Sequence, residues 1–207
     1  MTSKEILDLI YEMFPNPHCE LEYHDDFSFL CAVILSAQTT DKAVNLVTRP
    51  LFSKYKDVYA LALAKEEDLI PILRPIGLMK NKSHYLVTLS KELVNNYDGH
   101  VPHDFNKLVG LPGVGRKTAN VFLAEIDKRP AIAVDTHVNR VSYRLGLSST
   151  TTDVLKTERE LEAQFPKEDW IKAHYGLLFM GRYKCLSKNP KCSDCALKEI
   201  CKYEKRD

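Results

Sequence analysis

No stretch of this chain is both long and apolar enough to cross a bilayer, and its first residues lack the pattern of a secretory leader. These absences point to a soluble, intracellular protein. Apolar and polar residues nowhere alternate for long between turn signals, which argues against a sheet. There is no internal repeat, low-complexity tract or flexible linker, so solenoids and loosely tethered domains are excluded. Excess charge is missing too. With 29 Lys+Arg against 28 Asp+Glu, global charge does not announce a nucleic-acid partner. Tryptophan occurs once, at Trp170, in an amphipathic segment where it reads as core.

What remains is helix. The 207 residues suffice for one large domain or two small ones. Ser3 can cap a helix carrying Ile6, Leu7, Ile10, Met13 and Phe14 on one face, stopped by Pro15 and Pro17. Asp25 or Asp26 can cap a second, from Phe27 to about Ala37. Helices are expected near 40–55, with Asp41 as a cap, and near 57–64, 66–73, 81–97, 103–109 and 116–127. Others should lie near 136–145, 153–165 and 168–180. The fold class is therefore all-α with short connections.

Six cysteines are unevenly placed. Cys19 and Cys31 are isolated and read as small buried hydrophobes. The other four lie within seventeen residues, as Cys185-x6-Cys192-x2-Cys195-x5-Cys201. In a cytosolic chain such a cluster argues for metal rather than disulfides. Structural zinc sites usually pair short C-x2–4-C units. Here wider loops flank a single C-x2-C, and four thiolates suit an iron–sulfur cluster; zinc is the alternative. The same region is basic: residues 182–206 hold eight Lys/Arg against three Asp/Glu. That run is either a solvated tail or a patch for an acidic partner.

The most informative segment is Leu111-Pro112-Gly113-Val114-Gly115-Arg116-Lys117. Two glycines around one apolar residue make a tight turn whose amides can face an anion, and a helix starting at Arg116 points its positive end the same way. A P-loop would need G-x4-G-K-[ST] after a strand. From Gly110 to Thr118 this chain has one residue too many, and a short helix precedes it. Helix, Leu111–Gly115, helix instead resembles the helix-hairpin-helix motif, which grips the DNA backbone without reading sequence. That motif alone fits a passive clamp as well as an enzyme.

Lys117 and Asp135, eighteen residues apart, bear on that choice. The plain roles are a phosphate contact for Lys117 and a helix cap for Asp135. A lysine and a carboxylate are also the two groups that imine chemistry on a sugar requires. Leu35-Ser36-Ala37-Gln38-Thr39-Thr40-Asp41, Ile76-Gly77-Leu78, the glycine turn, Ala133-Val134-Asp135-Thr136-His137, Gly181-Arg182-Tyr183 and the four cysteines together resemble the endonuclease III family of DNA glycosylase/lyases, in order along the chain.

The resemblance implies a helix-hairpin-helix glycosylase fold of two helical domains flanking a DNA-binding cleft. Residues 20–130 would form a six-helix domain, and 1–19 with 131–207 a domain holding a [4Fe-4S] cluster on Cys185, Cys192, Cys195 and Cys201. Lys117 would attack C1′ of a damaged nucleotide, and Asp135 would stabilise positive charge on the sugar. Partial burial beside Arg116 and the helix start would favour the neutral, nucleophilic amine of Lys117. Gln38 would fill the space left by the extruded nucleotide, with Leu78 as a wedge beside it. Met79 departs from the tyrosine common in the family at that position. Leu111, Gly113, Val114, Gly115 and Arg116 would seat phosphate, and His137 would shape the site. Lys184, Lys188 and Lys191 of the cluster loop would meet DNA. The implied partner is double-stranded DNA with damaged pyrimidines or abasic sites, handled by a monomer in the bacterial cytoplasm or nucleoid, without a membrane. The alternatives are an adenine or alkylpurine glycosylase of the same superfamily, a non-catalytic DNA-binding iron–sulfur protein, and an electron-transfer protein.

Overall fold

The computed structural model describes residues 1–203; residues 204–207, with Lys205 and Arg206 of the basic run, lie outside the described residues. Among the described residues the chain is helical and has no strand. In order come α1 (Ser3–Met13), α2 (Asp26–Leu35), α3 (Asp41–Lys54), α4 (Val58–Ala62), α5 (Glu66–Leu73), α6 (Met79–Asn96), α7 (Phe105–Val109), α8 (Arg116–Ile126), α9 (Thr136–Arg144), α10 (Val154–Gln164) and α11 (Trp170–Phe179). They fall into two compact units, Glu20–Asp127 and Met1–Cys19 with Lys128–Asp207.

The Glu20–Asp127 unit is built around α2. Asp25 caps this helix by accepting from the Ser28 amide at 2.7 Å, and the apolar run that follows leaves nine of its ten residues buried. A helix apolar all round belongs in the middle of a core. Phe29 of α2 stacks on Phe122 of α8 with ring centroids 6.1 Å apart, and both are fully buried. Each such ring contributes about 1.5–3 kcal/mol. This unit holds seven α-helices, against the six that the resemblance implies; two of the seven, α4 and α7, are only five residues long.

In the other unit, Ile6, Leu7 and Ile10 of α1 join Val138 and Val141 of α9, Leu161 of α10 and Leu177 of α11 in one core. Gly176 of α11 lets α1 approach closely, since a Cβ there would lie 3.1–3.3 Å from Leu7, Tyr11 and Ile10. Trp170 is half-buried against this core, its indole N–H donating to the Phe165 carbonyl at 3.0 Å. Cys19 packs on the same core, and Cys31 is fully buried in α2.

Helix starts differ from the sequence reading by small shifts with local causes. Thr2, not Ser3, caps α1, because Glu5 reaches back to the Thr2 amide at 2.7 Å and completes a reciprocal box. Thr40 caps α3 by accepting from the Ala43 amide, so Asp41 is a first-turn residue and not the cap. Helix α6 begins at Met79, two residues before Asn81, and α7 at Phe105 behind the cap Asp104.

His103, just ahead of α7, ties three segments together. Its imidazole meets Asp127 at the end of α8 and Asp26 at the start of α2, the latter at 3.0 Å. Burial opposes a charge on the ring, but hydrogen bonds and attraction to the two aspartates outweigh it and raise the pKa above the ordinary 6.5. A raised folded-state pKa adds stability below the unfolded value, and that stability is lost as pH rises through the folded value. The Tm advantage of the wild type over His103→Asn should therefore be largest near pH 6 and shrink toward pH 8.5. An advantage that does not change with pH would contradict the charged clamp.

Candidate active site and cysteine loop

The turn between α7 and α8 is anchored from inside. Leu111 and Val114 are buried, and their amides donate to Leu108 and Leu111 carbonyls at 3.0 and 3.1 Å. These two residues therefore shape the turn, and their amides, which the sequence reading offered to a phosphate, are bonded inside it. The two glycines differ. Gly113 has φ +77, and a Cβ there would press Tyr85 at 3.0 Å, so the fold itself requires glycine. Gly115 has an ordinary backbone, and a Cβ there would meet nothing within 4 Å. The space beside it opens outward. Gly115 also caps α8 without a side chain, leaving the helix's first turn uncovered by any capping group.

Lys117 stands in that first turn and is exposed. The partial burial expected for it is absent, since α8 turns its buried face, Ala119, Phe122 and Leu123, the other way. Arg116 is exposed as well, with its guanidinium 5.3 Å from the Phe105 ring.

Asp135 lies in the other unit and is held tightly. The preceding Ile132, Ala133 and Val134 are buried at 3% exposure or less and fix the chain as it enters α9. One carboxylate oxygen of Asp135 accepts from the His137 and Val138 amides, both at 2.8 Å, and the other lies 3.1 Å from His137 Nδ1. Asp135 is thus the cap of α9, and its side chain keeps 15% exposure. Gly181 presses on this turn from behind: a Cβ there would sit 2.7 Å from the His137 Cβ. His137 thus packs on Gly181 on one side and meets the Asp135 carboxylate on the other.

The same helix grips the cysteine segment. Beyond α11 the chain makes a wide turn at Met180–Lys184, closed by the Cys185 amide on the Met180 carbonyl at 2.7 Å. Arg140 of α9 donates to the Gly181 carbonyl at 2.8 Å and the Cys185 carbonyl at 3.1 Å. Arg144, one turn on and buried, donates to Cys185 Sγ at 3.3 Å and to the Leu186 carbonyl at 2.8 Å. The Tyr203 ring lies 3.8 Å from its guanidinium. Cys185, Cys192, Cys195 and Cys201 are free thiols, half-buried, and line one pocket with Leu145, Met180, Pro190 and Leu197. Burial, then the neighbouring sulfurs, pushes the Cys201 thiol above its usual range. Among the described residues no three His, Cys, Asp or Glu side chains converge tightly enough to hold a single metal ion. Lys184 does not point to an outside partner: its ammonium bonds the Asp194 carboxylate at 2.7 Å and carbonyl at 3.0 Å, and only 12% of the side chain is exposed. Lys188 and Lys191 are exposed.

Residues 31–167 match the family model of the HhH-GPD superfamily base excision DNA repair proteins. The chain is 46% identical to endonuclease III of Bacillus subtilis (strain 168), with 97% of this chain and 92% of that protein covered. It is 44% identical to endonuclease III of Rickettsia conorii, with 96% of each covered. The chain belongs to the endonuclease III family. Its fold superposes on the solved structure of a trapped endonuclease III–DNA covalent intermediate with a TM-score of 0.93, at 44% identity, over 98% of this chain and 96% of that one.

Two further positions named by the endonuclease III resemblance share a backbone property that the sequence does not display. Gln38, exposed just beyond α2, has φ +58, and Leu78, ahead of α6, has φ +48 with 49% exposure. Non-glycine residues held left-handed cost of order 1–3 kcal/mol and are found where the surrounding structure enforces them. Both side chains are thus presented to the outside by strained loops. Arg140, Arg144 and Lys82 went unread in the sequence. The i, i+4 spacing of the two arginines put them on one face of α9, but their partners lie 41–45 residues further on.

Proposed function

We propose that this chain excises oxidised or ring-saturated pyrimidines, thymine glycol among them, from duplex DNA and cuts the strand 3′ to the resulting or a pre-existing abasic site. Membership of the endonuclease III family makes it a DNA glycosylase/AP lyase of base excision repair. Duplex DNA is its partner, and no helix among the described residues is long and apolar enough to cross a membrane. We place its work in the bacterial cytoplasm or nucleoid. The observation that carries the assignment of chemistry is Lys117, an exposed amine on the uncapped first turn of the hairpin's second helix.

In this reading the outward space at Gly115 and the first turn of α8 seat a phosphate, and Lys117 is brought to the sugar. Because the side chain is exposed, its desolvation comes from the bound duplex. The neutral amine attacks C1′, and the bond from C1′ to the base breaks, the base leaving with the electron pair and a proton. Opening of the sugar gives a protonated imine between Lys117 and C1′. Loss of a C2′ proton then expels the 3′ phosphate, and water releases the lysine. Asp135, ionised and locked at its cap, balances the positive charge that grows on the sugar. Leu78 and Gln38 occupy the gap left by the extruded nucleotide.

The four cysteines fit a [4Fe-4S] cluster: four free thiols share one pocket walled by Leu145, Met180, Pro190 and Leu197, a donor set suited to iron–sulfur ligation. Bound there, the cluster would supply four strong iron–thiolate links that close the C-terminal loop. Arg144 would then place a donor on the Cys185 sulfur, and the exposed Lys188 and Lys191 would face DNA phosphate.

On duplexes carrying thymine glycol, an abasic site, an adenine mispair or an alkylated purine, the wild type should cut the first two. Lys117→Ala should lose strand cutting while still binding duplex, and Asp135→Asn should slow base removal by roughly 10²–10³-fold. Cutting by Lys117→Ala at the wild-type rate would end the imine mechanism, and preference for the purine lesions would end the pyrimidine assignment. Protein purified intact should be yellow-brown, with about four irons and matching sulfide. Cys192→Ser should lose iron and Cys19→Ser should retain it; colourless, folded protein holding zinc would contradict the cluster.

A further inference from the structure

Lys82, in the second turn of α6, is a cation in the wrong place for stability. Its side chain is buried at 3% exposure, and its ammonium donates to a single acceptor, the Ile76 carbonyl, at 3.1 Å. Removing an ammonium from water is costly, and setting it near the positive end of a helix adds to that cost. A methionine of similar length would fill the same space without a charge. Burial also pulls the Lys82 ammonium below the usual lysine range, as expected for a cation held out of water.

The carbonyl that it holds is the last one before the strained loop. Gly77 and Leu78 follow with φ of +65 and +48, and Leu78 enters α6 with no side-chain cap. The Lys82 amide donates to the Leu78 carbonyl at 2.9 Å. The loop that thrusts Leu78 outward is thus bonded on both sides by one residue, by its side chain before the Gly77–Leu78 pair and by its backbone after it. We propose that Lys82 is a positioning residue for Leu78, bracing the Gly77–Leu78 loop so that the leucine can displace a nucleotide from the duplex. This rests on the reading of Leu78 as a wedge. Lys82 touches no DNA and takes no part in the chemistry at C1′.

The test compares a substrate that requires extrusion with one that does not. Lys82→Met should slow single-turnover excision from thymine-glycol duplex by about tenfold or more, because the wedge loses its brace. Borohydride trapping on a single-stranded abasic oligonucleotide should stay within about twofold of wild type, since no stack has to open. Lys82→Arg, which keeps a charged donor, should recover most of the duplex rate. In combination with Leu78→Ala, Lys82→Met should add no further loss, as expected of residues acting through one another. Equal losses on both substrates, or additive losses in the double variant, would overturn the proposal. Should Lys82→Met not fold, Lys82→Gln carries the same cycle with the same criteria. Full duplex activity in Leu78→Ala would sink the wedge reading and the proposal with it. Full duplex activity in Lys82→Met, with Leu78→Ala impaired, would sink the proposal alone.

Discussion

The cap of α9 is the constraint around which the Met1–Cys19 and Lys128–Asp207 unit is arranged. Asp135 accepts from two backbone amides at 2.8 Å, and hydrogen bonds to an ionised acceptor contribute about 1.5–3 kcal/mol. A buried apolar run, Ile132 to Val134, delivers the carboxylate, and Gly181 backs the turn on which it sits. A carboxylate already bound by N–H donors is suited to balancing positive charge in place. The structural and the proposed chemical roles of Asp135 therefore support each other. The same bonds that start the helix hold the anion rigid, and rigidity is what makes a fixed charge effective in a transition state.

One helix also joins this carboxylate to the cysteine segment. Asp135 occupies the N-terminal end of α9, and Arg140 and Arg144 occupy its later turns, holding Gly181, Cys185 and Leu186. Closing the cysteine loop with metal would stiffen the backbone that Arg140 and Arg144 bind. The proposed cluster thus has a mechanical use that requires no redox change.

Much of this was legible in the sequence, for reasons of scale. Helical periodicity and a cap such as Asp25 are local, and the helices appear within a few residues of where those signals place them. Lys117 and Asp135 stood out because a glycine turn and a capping aspartate are short-range patterns as well. What stayed hidden depends on partners distant in sequence or on backbone dihedrals. Lys184 looked like a free cation until its bond to Asp194, ten residues on, was visible. Lys82 drew no notice in the sequence, and only the bond from its ammonium to the Ile76 carbonyl in the Arg74–Ile76 turn shows why it is buried. Gly113 and Gly115 read alike in the sequence, yet one is required by Tyr85 and the other leaves open space.

The proposed chemistry depends on which nitrogen forms the bond to the sugar. The direct measurement is to reduce the reaction on thymine-glycol duplex with borohydride, digest the protein and DNA, and locate the modified peptide by mass spectrometry. One sugar-bearing peptide is expected, with the modification on Lys117. Modification of another residue, such as Lys107 or the N-terminal amine, would contradict it, as would efficient strand cutting with no adduct at all.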